Sequence, residues 1–311
     1  METKLVKLRF KSPVHFGAGR LSDSQIACDA ATLFSALYIE ALRIGVEEEL
    51  LSATESEDLL LSDVFPFVGD ALYIPKPMVQ FNVVSATRPL DKDEGSRARK
   101  AAKKLSFIPA RELSAYLRGT LDPVATLDQF HVGCAGVQTK VNLLRDETVD
   151  AMPYFVGGFS FLPEAGLYFI VRGSFDLAPL LDLLSFSGLG GKRTAGYGRF
   201  SYEICEGSAF PPLAEMDSYH PTRSMLLSTS TPTNGELSSR LLDGARYRLV
   251  RKGGFVQSAA HGNTPQRKRG LYEFVAGSVF SHTFRGDVFD VNDTDGAHPV
   301  YRYARAMWLE V

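Results

Sequence analysis

The chain is 311 residues long, 45% hydrophobic and 23% charged, and its 34 basic residues against 36 acidic ones leave a formal net charge of −2. That is enough apolar surface to bury one large domain or two ordinary ones. The near balance of charge excludes bulk attraction to nucleic acid, so any polyanion site has to be local. No apolar run approaches the roughly 18 residues that a membrane span requires. A reducing cytoplasm fits a chain with three scattered cysteines, Cys28, Cys134 and Cys205.

The opening "METKLVKLRF" alternates like a strand rather than like a charged leader followed by an apolar run. It continues through "KSPVHFGAG" into a tight turn. From Asp29, "DAATLFSALYIEALRIG" has helical spacing, with Asp29 as N-cap and Leu33, Phe34, Leu37, Ala41 and Leu42 as the apolar stripe. Between Glu94 and Glu112 there is no acid, while Arg97, Arg99, Lys100, Lys103, Lys104 and Arg111 are present, and Ala98, Ala101, Ala102 and Leu105 supply helical spacing. This window predicts one basic helix. "QTKVNLLRDET", Gln138 to Thr148, reads as an exposed hairpin. "GLYFIVRGSF" is a strand after Pro163, "LAPLLDLLSFSG" a short helix stopped by Gly188, and "GYGRFSYEI" the returning strand.

The stretch "CEGSAFPPLAEMDSYHPTRS", rich in Pro and Gly, reads as a linker. Beyond it, "SMLLSTST", a helix near "ELSSRLLDG", then "ARYRLVRKGGFVQS", "EFVAGSVFSHTF" and "AMWLEV" repeat a strand, helix, strand, strand, strand order. The expected class is α+β, with two ferredoxin-like (RRM-like) β-α-β-β-α-β domains carrying insertions. Their expected bounds are 1–206 and 225–311, with a linker at 207–224.

Two features point to local chemistry. The window from Gly188 to Phe200 holds five glycines in thirteen residues, with Lys192 and Arg193 at its centre, where average usage gives about one. It matches neither a phosphate loop, because Gly191-Lys192 is followed by Arg193, nor a dinucleotide fingerprint, whose third glycine would fall at Arg193. A structural loop packed under a sheet, or a cradle of N–H groups and cations for a polyanion, remain. The second feature is another acid-free window, between Asp243 and Glu273, containing Arg246, Arg248, Arg251, Lys252, Arg267, Lys268 and Arg269. Neither metal nor cofactor is expected: no C-x-x-C occurs, and His131-Val-Gly-Cys134 is an isolated pair. "DVNDTDG", Asp290 to Gly296, has its glycine one position late for a calcium loop and reads as a polar hairpin tip.

Taken in order, "HFGAG", "GLGGKRTAGYGRF", "RKGGF" and "RKRGLYEFVAGSVF" resemble the RAMP proteins of CRISPR systems. Order and spacing look most like the fourth-subunit family of the type III-A (Csm) effector, and "RARKAAKKLSFI" and "DVFPFVGDALYIPKP" extend the likeness over essentially the whole chain. The resemblance implies a subunit at the foot of the complex that holds the 5′ handle of CRISPR RNA. It would join the large polymerase-like subunit to the first backbone RAMP subunit, without membrane contact and without nuclease activity.

The glycine run would then lie against RNA, with Gly190, Gly191, Gly196 and Gly198 presenting N–H donors while Lys192 and Arg193 neutralise phosphates. Phe16, Phe255 and Tyr272 are the candidate stacking faces for unpaired bases. His15, Gly17, Arg251, Lys252, Arg267, Lys268 and Arg269 complete the expected RNA-binding set. "QTKVNLLRDET" resembles the thumb loop with which RAMP proteins kink guide RNA. The rival reading is a metal-independent CRISPR RNA endoribonuclease using His15, for which a second proton-transfer group is not evident in the sequence.

Overall fold

Strand β1 (Thr3–Phe10) buries side chains on both of its faces, Leu5 on one and Val6 with Leu8 on the other. Alternation along a strand sends these to opposite sides of a sheet, so the sheet must be covered twice. The computed structural model describes residues 2–17, 19–79, 92–142, 152–214, 222–256, 267–292 and 298–311. Among them no helix is long and apolar enough to cross a membrane.

One covering layer comes from two helices. α1 (Ala30–Ile44) begins at Asp29, whose side chain accepts from the Thr32 N–H, and ends at Gly45 in the left-handed region, the arrangement that satisfies the free amides and carbonyls of a helix. Leu33, Phe34, Leu37 and Ala41 are buried as expected, but Leu42 is 52% exposed, so the apolar stripe is narrower than its spacing implied. α2 (Glu47–Glu55) follows directly. Strands β2 (Phe65–Val68) and β3 (Ala71–Pro75) come next. The first acid-free window forms α3 (Lys92–Lys104), as predicted. β4 (Phe107–Pro109), α4 (Pro123–Gln129) and the hairpin of β5 (Gly133–Asn142) and β6 (Met152–Phe161) precede β7 (Ala165–Arg172). α5 (Ala178–Ser187) and β8 (Phe200–Glu206) complete the first half.

The large sheet is antiparallel with strand order β8-β1-β7-β2-β3-β4, and the short pair Leu60–Leu61 joins the end of β7. Helices α1 and α5 lie over the face carrying Val6, Leu8, Leu167 and Phe169. The opposite face, with Leu5, Tyr168 and Ile170, packs against Met225, Leu227, Val279, Met307 and Leu309 of the second half. The two halves therefore share their apolar core.

The second half is built from β9 (Ser224–Leu226), β10 (Leu249–Lys252), β11 (Leu271–Phe274), β12 (Val279–Phe280), β13 (Val288–Asp290), β14 (Tyr301–Tyr303) and β15 (Trp308–Glu310). The helix expected near "ELSSRLLDG" does not form; residues 235–244 are turns and loop. The Glu236 carboxylate accepts from the Thr233 amide, as a capping residue would, but also from the Arg285 and Gly286 amides of a distant loop. These tertiary bonds hold the segment as a strap, a local preference overridden by its neighbours. "EFVAGSVFSHTF" is likewise two short strands, β11 and β12, with Gly277 at φ +92 between them. Of the expected linker, Gly207–Ala209 and Pro211–Ala214 are short helical turns, and 215–221 lie outside the described residues.

Asp63 fastens the halves. Its Oδ1 accepts from the Ala30 N–H at the start of α1 and from the Thr229 N–H of the second half, both at 2.8 Å, and Oδ2 pairs with the Thr229 hydroxyl at 2.6 Å. Burial, and then the neighbouring Asp29 carboxylate, push the Asp63 carboxyl up to about 7 from an ordinary 3.8. Between those values the folded chain holds a proton that the unfolded chain has released, so this group makes stability fall as pH rises from about 4 to 7. Asp63→Asn keeps an acceptor for both amides and a donor for Thr229. It should therefore melt at a higher temperature than the parent at pH 8, with the gap closing as pH approaches 4 in circular dichroism melts. A gap independent of pH would refute this account.

Candidate nucleic-acid interface

Three stretches far apart in sequence meet beside the first turns of α1. His15, Phe16 and Gly17 come from the turn after β1; Gly190, Gly191 and Arg193 from the glycine loop; and Lys252, Lys268 and Arg302 from the second half. With Gln25, Asp29, Thr32 and Ser35 they line a cleft of about 340 Å³.

The glycines make the crossing of two chain segments possible. The Leu189 N–H donates to the Gly198 carbonyl at 2.9 Å, Gly191 N–H to the His15 carbonyl at 2.8 Å, and Gly198 N–H to the Pro13 carbonyl at 2.8 Å. At Gly198, φ is +76 and a Cβ would overlap the Leu189 carbonyl; at Gly190, φ is +99 and a Cβ would stand 2.8 Å from the His15 carbonyl. A side chain fails here on conformation and on space. The expectation of free donors at Gly191, Gly196 and Gly198 is thereby corrected, because all three amides donate within the protein, Gly196 to Arg193. The Gly190 amide has no backbone acceptor among the described residues, and Gly190 lines the cleft. Lys192 occupies the left-handed region at φ 58, and its ammonium stands 5.5 Å from the centre of the Tyr154 ring, on the hairpin rather than in the cleft.

The cations of the cleft are unequally neutralised. Lys252 Nζ lies 2.6 Å from Asp29 Oδ2; burial lowers its pKa, but the Asp29 carboxylate outweighs burial and leaves it above the ordinary value. Arg302 Nε is 2.8 Å from Glu273 Oε1, and burial, opposed by Arg302, pushes Glu273 up to about 7. Arg193 is 3.9 Å from Glu40 Oε1, too long for a hydrogen bond, and its buried NH1 has no hydrogen-bond partner. Among the described residues Lys268 is in no ion pair; burial, and next Arg302, lower its pKa. The cleft thus offers Lys268, in no ion pair among the described residues, and Arg193, whose carboxylate partner Glu40 stands off at 3.9 Å without a hydrogen bond.

Strand pairing sorts the remaining candidates. Across β10 and β11, Arg251 faces Tyr272 and Lys252 faces Leu271; Lys252 turns into the cleft while Arg251 and Tyr272 turn out. Tyr272 is 63% and Phe255 59% exposed, and Arg267 sits 5.7 Å from the Phe255 ring centre. Arg269 donates to the Asp290 carbonyl. Phe16 is 4% exposed and packs in the core against Phe10, so it presents no open ring face and its assignment as a stacking platform is corrected. His15 is 8% exposed, its Nδ1 is 2.7 Å from the Gly157 carbonyl, and its ring abuts Gly191. Arg302, Gln25 and Asp29 as a lining group escaped sequence reading; Asp29 carried only a capping signal.

The hairpin of β5 and β6 pairs over ten residues on each strand, Gly133↔Phe161 to Asn142↔Met152. It leans on the glycine loop through the Tyr197 hydroxyl to Gln138 at 2.8 Å and through Lys140 over the Tyr197 ring. The rest of the expected thumb, from residue 143, lies outside the described residues, as do residues 293–296 of "DVNDTDG".

An antiparallel sheet with helices on one face, a strand-rich second half on the other and a cationic, glycine-lined cleft defines a mixed α/β protein with a polar binding surface. The family model for the CRISPR Csm4 C-terminal domain matches residues 220–311. A protein of Mycobacterium tuberculosis (strain ATCC 25618 / H37Rv) called CRISPR system Cms protein Csm4 is 39% identical over 99% of this chain and 98% of its own length. Its namesake from Streptococcus thermophilus is 32% identical over 100% and 99%. Among solved structures, a chain of a Csm3-Csm4 subcomplex in the type III-A CRISPR-Cas interference complex shares the fold at TM-score 0.64 and 17% identity, covering 100% of this chain and 99% of that one. A Csm1-Csm4 cassette with pppApA gives TM-score 0.64 at 21% identity, covering 100% and 98%. The chain belongs to the Csm4 family.

The loop geometry separates two glycines. A Cβ at Gly196, φ +84, meets nothing within 4 Å, whereas one at Gly198 meets backbone. Gly196→Ala should therefore cost about 1 kcal/mol from conformation alone, and Gly198→Ala several times more, because overlap with backbone is added to the same conformational cost. Chemical denaturation of both variants measures the difference; equal losses would show that conformation, not the crossing, governs the loop.

Proposed function

We propose that the chain is the non-catalytic RNA-binding subunit of a type III-A CRISPR effector, holding the 5′ handle of CRISPR RNA in the cleft beside α1. The observation that carries this reading is the pair Arg193 and Lys268: two half-buried cations, the first only loosely paired with Glu40 at 3.9 Å and the second in no ion pair among the described residues, converging with the Gly190 amide on one cleft. Such a set suits the backbone of a single strand, which brings the missing negative charge. Phe255 and Tyr272, exposed beside Arg267 and Arg251, supply ring faces for unpaired bases at the outer rim.

The solved Csm1-Csm4 and Csm3-Csm4 assemblies support a place between a large polymerase-like subunit and a backbone RAMP subunit, and we read such a complex as cytoplasmic. We read residues 1–206 as a ferredoxin-like unit, because β1, α1, β2, β7, α5 and β8 follow that path in the order β8-β1-β7-β2. Residues 225–311 form a second unit after a linker at 207–224; among its described residues no α-helix occurs, so its ferredoxin-like character rests on strands alone.

His15 as a catalytic group has little support. Its Nδ1 is committed to the Gly157 carbonyl, and the one carboxylate lining the cleft among the described residues, Asp29, is held by Lys252. General acid–base cleavage needs a second proton-transfer group within reach.

The test uses a labelled single strand of about ten nucleotides, the span of one nucleic-acid-binding module. Arg193→Gln with Lys268→Gln should weaken binding at least about tenfold and flatten the log–log salt dependence by about 0.7 for each phosphate no longer neutralised. Unchanged affinity and slope would exclude the cleft as the RNA site. Incubation in EDTA should leave the RNA intact; a discrete product that vanishes in His15→Ala would reinstate the endoribonuclease.

A further inference from the structure

Helix α3 carries Arg97, Arg99, Lys100, Lys103 and Lys104 along one side, all exposed, and no ion pair among the described residues includes any of them. The opposite side is apolar: Ala101 and Leu105 are buried. Lys103 and Lys104 are accounted for by the helix itself, since cations in a last turn offset the axial dipole. Arg97, Arg99 and Lys100 are not. They stand in the middle turns, where Arg99 and Lys103, and Lys100 and Lys104, are like-charged neighbours four residues apart, a spacing that destabilises an isolated helix. Asp93 is placed four residues before Arg97 to relieve this, yet forms no ion pair with it.

The helix also shares no residue with the cleft beside α1. The groove between α3 and α4 sets only two carboxylates, Asp93 and Asp128, against three cations, Arg97, Lys100 and Lys104. With Arg99 and Lys103 on the outer ridge besides, the helix surface carries more cations than the groove's two carboxylates can offset. That ridge presents no exposed large apolar residue, whereas the centre of a protein–protein contact is apolar and poor in charge. A row of cations without an apolar centre suits a sugar-phosphate backbone, which is positioned by charge alone.

We propose that α3 is a second RNA contact, separate from the cleft, which grips the phosphate backbone of a further length of RNA. This goes beyond the handle-binding reading and can stand or fall without it. Arg97→Gln, Arg99→Gln and Lys100→Gln together remove the mid-helix cations while keeping good helix formers.

The full chain, this triple variant and the Arg193→Gln, Lys268→Gln variant are titrated by fluorescence anisotropy with a strand of about ten nucleotides and one of about forty, lengths that a single module respectively fills and cannot fill. The α3 variant should bind the short strand within about twofold of the parent. It should lose several-fold affinity for the long one, with a salt slope shallower by about 0.7 for each phosphate released. The cleft variant should weaken both. Long-strand affinity and slope unchanged in the α3 variant would overturn the proposal. So would the same result accompanied by loss of a co-purifying protein subunit, which would make the ridge a protein contact. Failure of the cleft variant to weaken the short strand would count against the handle site alone.

Discussion

One carboxyl group holds the architecture together. Asp63 receives the first amide of α1 and the Thr229 amide of the second half on the same oxygen, so the helix start and the segment that follows β9 cannot shift independently. Asp29, one residue before that helix, is tied by Lys252 to the β10–β11 hairpin. Buried polar groups are costly when unpaired, and here the partners of each lie on opposite sides of the junction. The Asp29–Lys252 pair stands in the wall of the cleft.

Local signals in the sequence were faithful where the structure is local. Asp29 and Gly45 bound α1, Gly188 stops α5, and the alternation of "KLVKLRF" is β1. The basic helix was legible because its charges and alanines share one helical period. The glycine run was visible as an anomaly, but its cause was not: the carbonyls that crowd or bond the loop belong to Pro13, His15 and Leu189, most of them far away in sequence. The segment 235–244 shows the converse. Its capping residue is present, but Glu236 is drawn to the amides of residues 285 and 286, partners that no window of neighbouring residues reveals.

The site was legible as a set of residues and not as an arrangement. Lys252 and Arg251 are adjacent and chemically alike, yet the period of two in a strand turns one toward Asp29 and the other to solvent. Phe16 and Phe255 looked equivalent next to glycines, but one fills the core beneath the sheet and the other stands exposed beside Arg267. Composition identifies where cations are concentrated. Only tertiary pairing decides which of them keep charge available for a ligand, and that distinction separates Arg193 and Lys268 from Lys252 and Arg302.

Tyr303 belongs to the second half but lies fully buried in the core of the first, its ring 5.2 Å from Phe34 and its hydroxyl accepting the Leu61 amide at 2.8 Å. Such a side chain couples the histories of the two halves. A recombination event that exchanged residues 220–311 between relatives would bring a new occupant to a socket shaped by Phe34 and Leu61. It would succeed only between parents whose sockets and aromatic plugs correspond. The halves are thus expected to be inherited as a matched pair, with crossovers between distant lineages rare at the linker, however permissive that segment looks as sequence.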